Sequence, residues 1–310
     1  MPPSDNRVLR LGTRGSKLAL AQSGVVRAAL EAAGVPCELA VVKTSGDRIQ
    51  DRSLADAGGK GLFTKELEEA LLDRRIDIAV HSMKDVPVEI PPGLALTAIL
   101  PREDPRDAFL SHKAKMLSGL PKGARVGTSS VRRHAQLLRA RPDLDIALLR
   151  GNVDTRLRKL DAGEFDAILL AHAGLKRLGL HARITALLEP EDWLPALAQG
   201  AIGIEIRDSD ARAKNAVAAL NDPATAVALS CERAFQAALD GSCRTPIAGL
   251  ARFENGILKF RGEVLAPDGS DSVSTGFETT LGANPLAHAA ELGRSAGLEI
   301  RPRAEKWLVL

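Results

Sequence analysis

The chain has no tyrosine, and seven phenylalanines and two tryptophans bring its aromatics to only 3% of 310 residues. Single-stranded nucleic acid is gripped by aromatic stacking platforms, so the scarcity argues against that partner. Charge of one sign is missing too. Lys and Arg number 42 against 39 Asp and Glu, a formal net charge of +3, which gives no global field of the kind a DNA binder needs. No apolar run is long enough to span a bilayer and no N-terminal apolar signal core is present, so the expectation is a cytoplasmic protein without a membrane partner. Cys37, Cys231 and Cys243 form no Cys-x-x-Cys pair and leave an odd thiol over, which speaks against a disulfide framework and a metal site. Cys37 and Cys231 read as packing residues. Cys243 lies in the turn 241–246 beside Arg244, where a thiolate is favoured if the turn is exposed; an incidental loop thiol is the plainer alternative.

What is present is ordinary globular material, 45% hydrophobic and 26% charged, in a length that suits two or three domains. Short apolar runs near 8–11, 39–42, 76–80 and 94–100 alternate with helical patterns at 16–33 and 63–72. A charged, proline-bearing stretch, 101–105, reads as a linker, and a second alternating block follows: strands near 125–127, 146–149 and 167–170, helices at 131–139 and 155–160. Such alternation predicts parallel sheets with helical crossovers. The blocks echo each other, Arg10–Ser16 against Arg125–Ser130 and Asp77–His81 against Asp166–His172, which predicts two similar lobes facing across a cleft. A strand near 202–205 reads as returning to the first lobe. Helical patterns at 210–220 and 225–239 follow, then a hairpin turning on Asn255-Gly256 and a last helix at 285–296.

The segment His81-Ser82-Met83-Lys84-Asp85-Val86-Pro87 follows a predicted strand, so it delivers a hydroxyl, a cation and a carboxylate to a sheet edge where open α/β folds bind ligands. A helix start with Ser82 as N-cap is the competing reading. The Gly-Thr turns at 12–13 and 127–128 put backbone donors with Ser16, Ser129 and Ser130 at helix N-termini, suited to anions or to simple capping. Arg14, Arg132, Arg133, Arg150, Arg156 and Arg177 recur at predicted strand-to-loop or helix-start positions, and Lys60 sits in a glycine-rich loop. Guanidinium grips carboxylate bidentately, so the inventory suits a ligand with several carboxylates. The stretch 45–61 reads as a mobile lid or as a plain surface loop.

These motifs, with Arg102–Ala108, Leu149–Val153, Ala173–Gly179 and Gln199–Glu205, resemble the porphobilinogen deaminase (hydroxymethylbilane synthase) family from Arg14 to Cys243. The resemblance implies a transferase of heme biosynthesis that joins four porphobilinogen units head to tail, releasing ammonia, on a dipyrromethane primer held by a thioether to Cys243. It implies Asp85 as the catalytic carboxylate. Cofactor and substrate would be bound at Arg14, Ser16, Lys60, Ser82, Lys84, Thr128, Ser129, Arg132, Arg133, Arg150, Arg156, Arg177 and Gln199. The implied fold is α/β, two periplasmic-binding-protein-like lobes plus a small α+β C-terminal domain. The corresponding division is residues 1–100 with 200–218, then 106–195, then 222–310, in a monomer. The competing function is a non-catalytic two-lobed binding module for a polycarboxylate, which would need the arginines but no loaded thiol.

Overall fold

A computed structural model describes residues 7–45, 61–239 and 245–308. These divide into two compact units, one of 7–45, 61–102 and 201–223, the other of 103–200 and 224–308.

The first unit is built on a five-stranded sheet. β1 (Leu9–Arg14), β2 (Cys37–Val42) and β3 (Ile78–Ser82) run parallel; β10 (Ile202–Arg207) lies antiparallel between β3 and β4 (Leu94–Ile99). The sheet order is β2-β1-β3-β10-β4. Both faces are covered, as the near-continuous apolar run of β3 requires. α1 (Lys17–Ala32) sets Val26 and Leu30 against Leu9, Leu11, Ile78 and Ile204. On another part of the sheet α2 (Lys65–Leu72) packs Leu67 and Leu71 on Ile76 and Ala79. The helix α6 (Ala211–Val217) follows β10 and is capped by Asp210.

The second unit repeats the plan. β5 (Asp107–Ser111), β6 (Arg125–Thr128), β7 (Asp145–Leu148), β8 (Ala167–Ala171) and β9 (Ala186–Leu188) form a sheet of order β7-β6-β8-β5-β9, with β5 antiparallel to both neighbours. α3 (Val131–Ala140), α4 (Val153–Asp161) and α5 (His172–Arg177) cover it. The repeat extends to single bonds. Asp77 accepts from the Arg10 amide at 3.0 Å, and Asp166 accepts from the Arg125 amide at 2.7 Å. Gly12 and Gly127 pair with Ala79 and Ile168 in the two sheets, and a Cβ on either would collide with Ile76 or Phe165. The echo in the histidines fails. Counting from the equivalent aspartates, His81 is the fourth residue of β3, whereas His172 lies beyond β8 and opens α5. The sheets are mixed rather than parallel, because a strand from a later or earlier part of the chain is inserted antiparallel in each. The strands β5 and β9 went unrecognised for that reason: they do not belong to a βαβ unit.

The rest of the second unit is a three-stranded antiparallel sheet, β11 (Ile247–Glu254), β12 (Ile257–Leu265) and β13 (Ser272–Thr280), backed by α7 (Pro223–Ala238) and α8 (Pro285–Ala304). The hairpin turns on Asn255 and Gly256 with φ of 52° and 78°, the left-handed pair that a tight hairpin demands. β13 was not read from the sequence, its alternation being carried by serine, threonine and glutamate around few apolar residues. Phe235 and Phe260 meet edge to face at 5.0 Å in the core. There α7 and α8 touch through glycine: a Cβ on Gly293 would lie 2.1 Å from the carbonyl oxygen of Cys231.

One buried polar group sits behind β3. His81 Nε2 lies 2.9 Å from Glu205 Oε2, both inaccessible to solvent or nearly so, with Glu68 of α2 close by. Burial, with the charge of Glu205 added, pushes the Glu68 carboxyl above its ordinary value.

Two outcomes are expected. Gly293→Ala forces backbone apart and should cost about 2–3 kcal/mol, read as a lowered midpoint in denaturant unfolding; an unchanged midpoint contradicts the close helix crossing. For Glu68, a raised folded-state pKa means its contribution to stability is greatest below the unfolded value and is lost as pH rises through the folded one. Glu68→Gln escapes that loss, so its Tm relative to the parent protein should climb between about pH 4 and pH 8. A difference that is flat or falls with pH refutes the assignment.

Candidate active site

In the first unit the carboxyl ends of β1 and β3 carry the chemistry. Ser16 caps α1, its Oγ accepting from the Ala19 amide at 3.2 Å. Arg14, at the end of β1, lays its guanidinium 4.0 Å from the ring centre of Phe63, which fixes the plane of the cation. Ser82 ends β3 and makes no capping bond; its Oγ accepts from Gln22 Nε2 at 2.8 Å instead. The competing reading as a helix start therefore reduces to the single 3-10 turn Met83–Asp85. Met83 is buried and anchors that turn, while Lys84 is exposed and Asp85 half-buried. Among the described residues the Asp85 carboxylate has no ion-pair partner. By contrast, Asp77 and Asp104, partly buried, and Asp107, fully buried, are paired with arginine.

In the second unit the ends of β6, β7 and β8 bring arginines together. Thr128 Oγ1 accepts from the Ser130 amide at 3.1 Å and shapes the turn into α3. Ser130 caps α3, which leaves Ser129 to accept from Arg156 Nη2 at 3.2 Å. Arg156 also reaches the Gly151 carbonyl at 2.8 Å. Burial, with the charges of Arg133 and Arg150 pressing on it, pushes Arg156 down to about 10. Arg150 is itself buried. Arg177 donates to the Gly200 carbonyl at 2.6 Å, and burial lowers its pKa too. The cluster thus brings several guanidinium groups close together.

Arg132, Arg133 and Gln199, which the resemblance implies bind cofactor and substrate, are buried, and each meets Asp107, a carboxylate to which the sequence gave no role. The Nε atoms of both arginines are nonetheless buried without a hydrogen-bond partner. Lys60, Cys243 and most of the stretch 45–61 lie outside the described residues. Of the other thiols, Cys37 is half-buried at the start of β2, and Cys231 is inaccessible in the α7 core, where burial and the neighbouring Glu232 push its thiol far up.

Among the described residues no group of His, Cys, Asp or Glu is arranged to hold a metal, and no helix is long and apolar enough to cross a membrane. What the arrangement can do is take up carboxylates. Clustered guanidinium groups, the partnerless Nε donors of Arg132 and Arg133 among the described residues, and nearby hydroxyls suit a polycarboxylate group such as a dipyrromethane, with acetate and propionate on each ring.

Comparisons with known proteins agree. Residues 9–215 match the model "Porphobilinogen deaminase, dipyromethane cofactor binding domain", and 226–301 match "Porphobilinogen deaminase, C-terminal domain". The porphobilinogen deaminase of Nitrobacter hamburgensis is 56% identical over 305 residues, covering 97% of this chain and 95% of that one. That of Syntrophobacter fumaroxidans is 51% identical over 297 residues, covering 95% and 94%. Among solved structures, a periplasmic substrate-binding protein of an ABC transporter from Coxiella burnetii is 16% identical, with 70% of this chain and 93% of that chain covered at a TM-score of 0.45. A nutrient-binding protein from Burkholderia cenocepacia is 17% identical, with 70% and 92% covered at 0.44. Both are too distant to carry weight. With matched models over both units and relatives more than half identical across nearly the whole length, this chain belongs to the porphobilinogen deaminase family.

Proposed function

We infer that the protein joins four porphobilinogen units head to tail, releasing ammonia at each coupling, to form hydroxymethylbilane on a dipyrromethane primer bound as a thioether through Cys243. The observation that carries the reading is the Asp85 carboxylate, left without an ion-pair partner among the described residues at the end of β3, in a chain whose relatives at 51–56% identity are porphobilinogen deaminases. A non-catalytic binding module is not favoured, since those relatives match it over nearly its full length.

The reaction sets the demands. Every added pyrrole brings an acetate and a propionate, and a carboxylate removed from water without a partner costs several kcal/mol. Arg150, Arg156 and Arg177, with Ser129 and Thr128, supply that partnership in the second unit; Arg14, Ser16, Ser82 and Lys84 supply it in the first. Lys60 belongs to the same set. When bound, the dipyrromethane contributes the pyrrole carbon to which substrate units are added. Loss of ammonia from porphobilinogen leaves a resonance-stabilised azafulvenium cation. Asp85 stabilises that cation and the pyrrole N–H groups, and takes up and returns the protons of each coupling. An unpaired carboxylate is available for this, whereas one locked in a salt bridge would be spent.

Cys243 is favoured as the attachment point by the nearby Gly241 in the sequence, and because Cys231 is sealed in the core with its thiolate disfavoured. We take 1–100 with 200–218, 106–195, and 222–310 as the working division into two lobes and a cofactor-attachment domain, in a cytoplasmic monomer.

Two measurements test the reading. Asp85→Asn keeps the size of the side chain and removes its charge, so turnover should fall by about a thousandfold or more with Tm unchanged; turnover like that of the parent protein removes the role. Intact-protein mass spectrometry with peptide mapping should find two linked pyrrole units on the Cys243 peptide. A chain that stays unmodified after incubation with porphobilinogen refutes the covalent primer.

A further inference from the structure

The second unit holds a carboxylate that touches no candidate ligand and yet organises the groups that do. Asp107 opens β5 and is wholly inaccessible to solvent. Its Oδ1 accepts from Arg133 Nη2 at 2.6 Å and from Gln199 Nε2 at 2.8 Å. Its Oδ2 meets Arg132 Nη1 at 2.9 Å and accepts from Trp193 Nε1 at 2.9 Å. Each oxygen therefore serves one guanidinium and one neutral donor. Burial alone would raise the Asp107 pKa, and the charges of Arg132 and Arg133 overcome it, holding the carboxyl far below the usual range.

Resting on the functional reading above, we propose that Asp107 is a positioning residue: it fixes Arg132 and Arg133 in the orientation that recognises substrate and primer carboxylates, with Gln199 and Trp193 steering the carboxylate itself. Three observations converge on this. Arg132 and Arg133 sit in the first turn of α3, next to the Thr128–Ser129 turn, and the Arg133 charge is felt at Arg156. Each keeps a buried Nε–H without a hydrogen-bond partner, a donor a purely internal salt bridge has no reason to strand. Further bonds from Arg132 Nη1 to the Leu194 carbonyl and from Arg133 Nη1 to the Leu169 carbonyl fix the guanidinium planes, at 3.1 and 3.0 Å.

The segment that carries Gln199 is itself clamped. Ala198 adopts φ of 58° and Gly200 of 93°, and the Ala198 amide donates to Glu232 Oε2 of α7 at 2.5 Å. Glu232 Oε1 accepts from the Ala251 amide on β11 at 2.7 Å. A non-glycine residue held in the left-handed region costs energy and persists only where its surroundings enforce it. Gln199 accordingly acts on Asp107 rather than on the ligand, and its role passes to positioning. Preorganisation of this kind matters because an arginine cluster left to itself spreads apart and must be reassembled at each binding event.

The test compares loaded wild-type enzyme with Asp107→Asn and Trp193→Phe, measuring KM, kcat, Tm and the fraction of chain bearing the primer by intact mass. Asp107→Asn should raise KM for porphobilinogen about tenfold or more and lower the loaded fraction, with a smaller change in kcat. Trp193→Phe removes one donor to Oδ2 and should raise KM about two- to fivefold, the range of a single hydrogen bond, at a Tm within a few degrees of wild type. Should Asp107→Asn fail to fold, Trp193→Phe decides. Lowered Tm with KM and loading unchanged would show a merely structural salt bridge and overturn the proposal. Wild-type protein that does not consume porphobilinogen at all would instead fail the functional reading, and the proposal with it.

Discussion

Arg132, Arg133, Arg150 and Arg156 stand at the ends of β6 and β7, withdrawn wholly or largely from water. Like charges so placed repel, and each has surrendered much of its hydration. One carboxylate makes the assembly tenable. Asp107 carries a single charge but divides its two oxygens between two guanidinium groups, so both are held.

The first unit solves a different problem with the same plan of sheet. There the central strand ends in a short turn whose buried Met83 holds Asp85 partly exposed, without an ion-pair partner among the described residues. Between β3 and β10, His81 Nε2 meets Glu205 Oε2 in the core, while Glu205 Oε1 is buried without a hydrogen-bond partner among the described residues. One repeat of the architecture thus carries a partly exposed carboxylate after its central strand, the other buried arginines after β6 and β7. The difference lies in which side chains the sequence places after strands of equivalent order, since the hydrogen-bonded frame, down to the Asp77 and Asp166 bonds, is common to both.

Around the third sheet the helices are held in close contact. α7 and α8 cross through Gly293 and Gly297, close enough to leave no room for a methyl group, and α7 also supplies Glu232 to the strained segment at 198–200. α7 is in this way tied to the segment that carries Gln199.

Much of this was written locally. Alternation of apolar runs and helical patterns announced the α/β class, Gly12-Thr13 and Gly127-Thr128 announced the repeat, Asn255-Gly256 the hairpin, and the long motifs around Asp85 and Gln199 the family. These depend on neighbours in sequence: turn geometry, capping and periodicity act over a few residues. What the sequence left undecided depends on partners far apart along the chain. β5 and β10 are inserted antiparallel by residues distant from the strands they join, which no local pattern encodes. That Arg133 and Gln199 meet the buried Asp107 likewise depends on a partner 26 residues away for Arg133 and 92 for Gln199. Residue type and spacing determined which charges the protein owns; only the tertiary structure decided which it spends on itself, because burial and pairing are properties of the assembled fold.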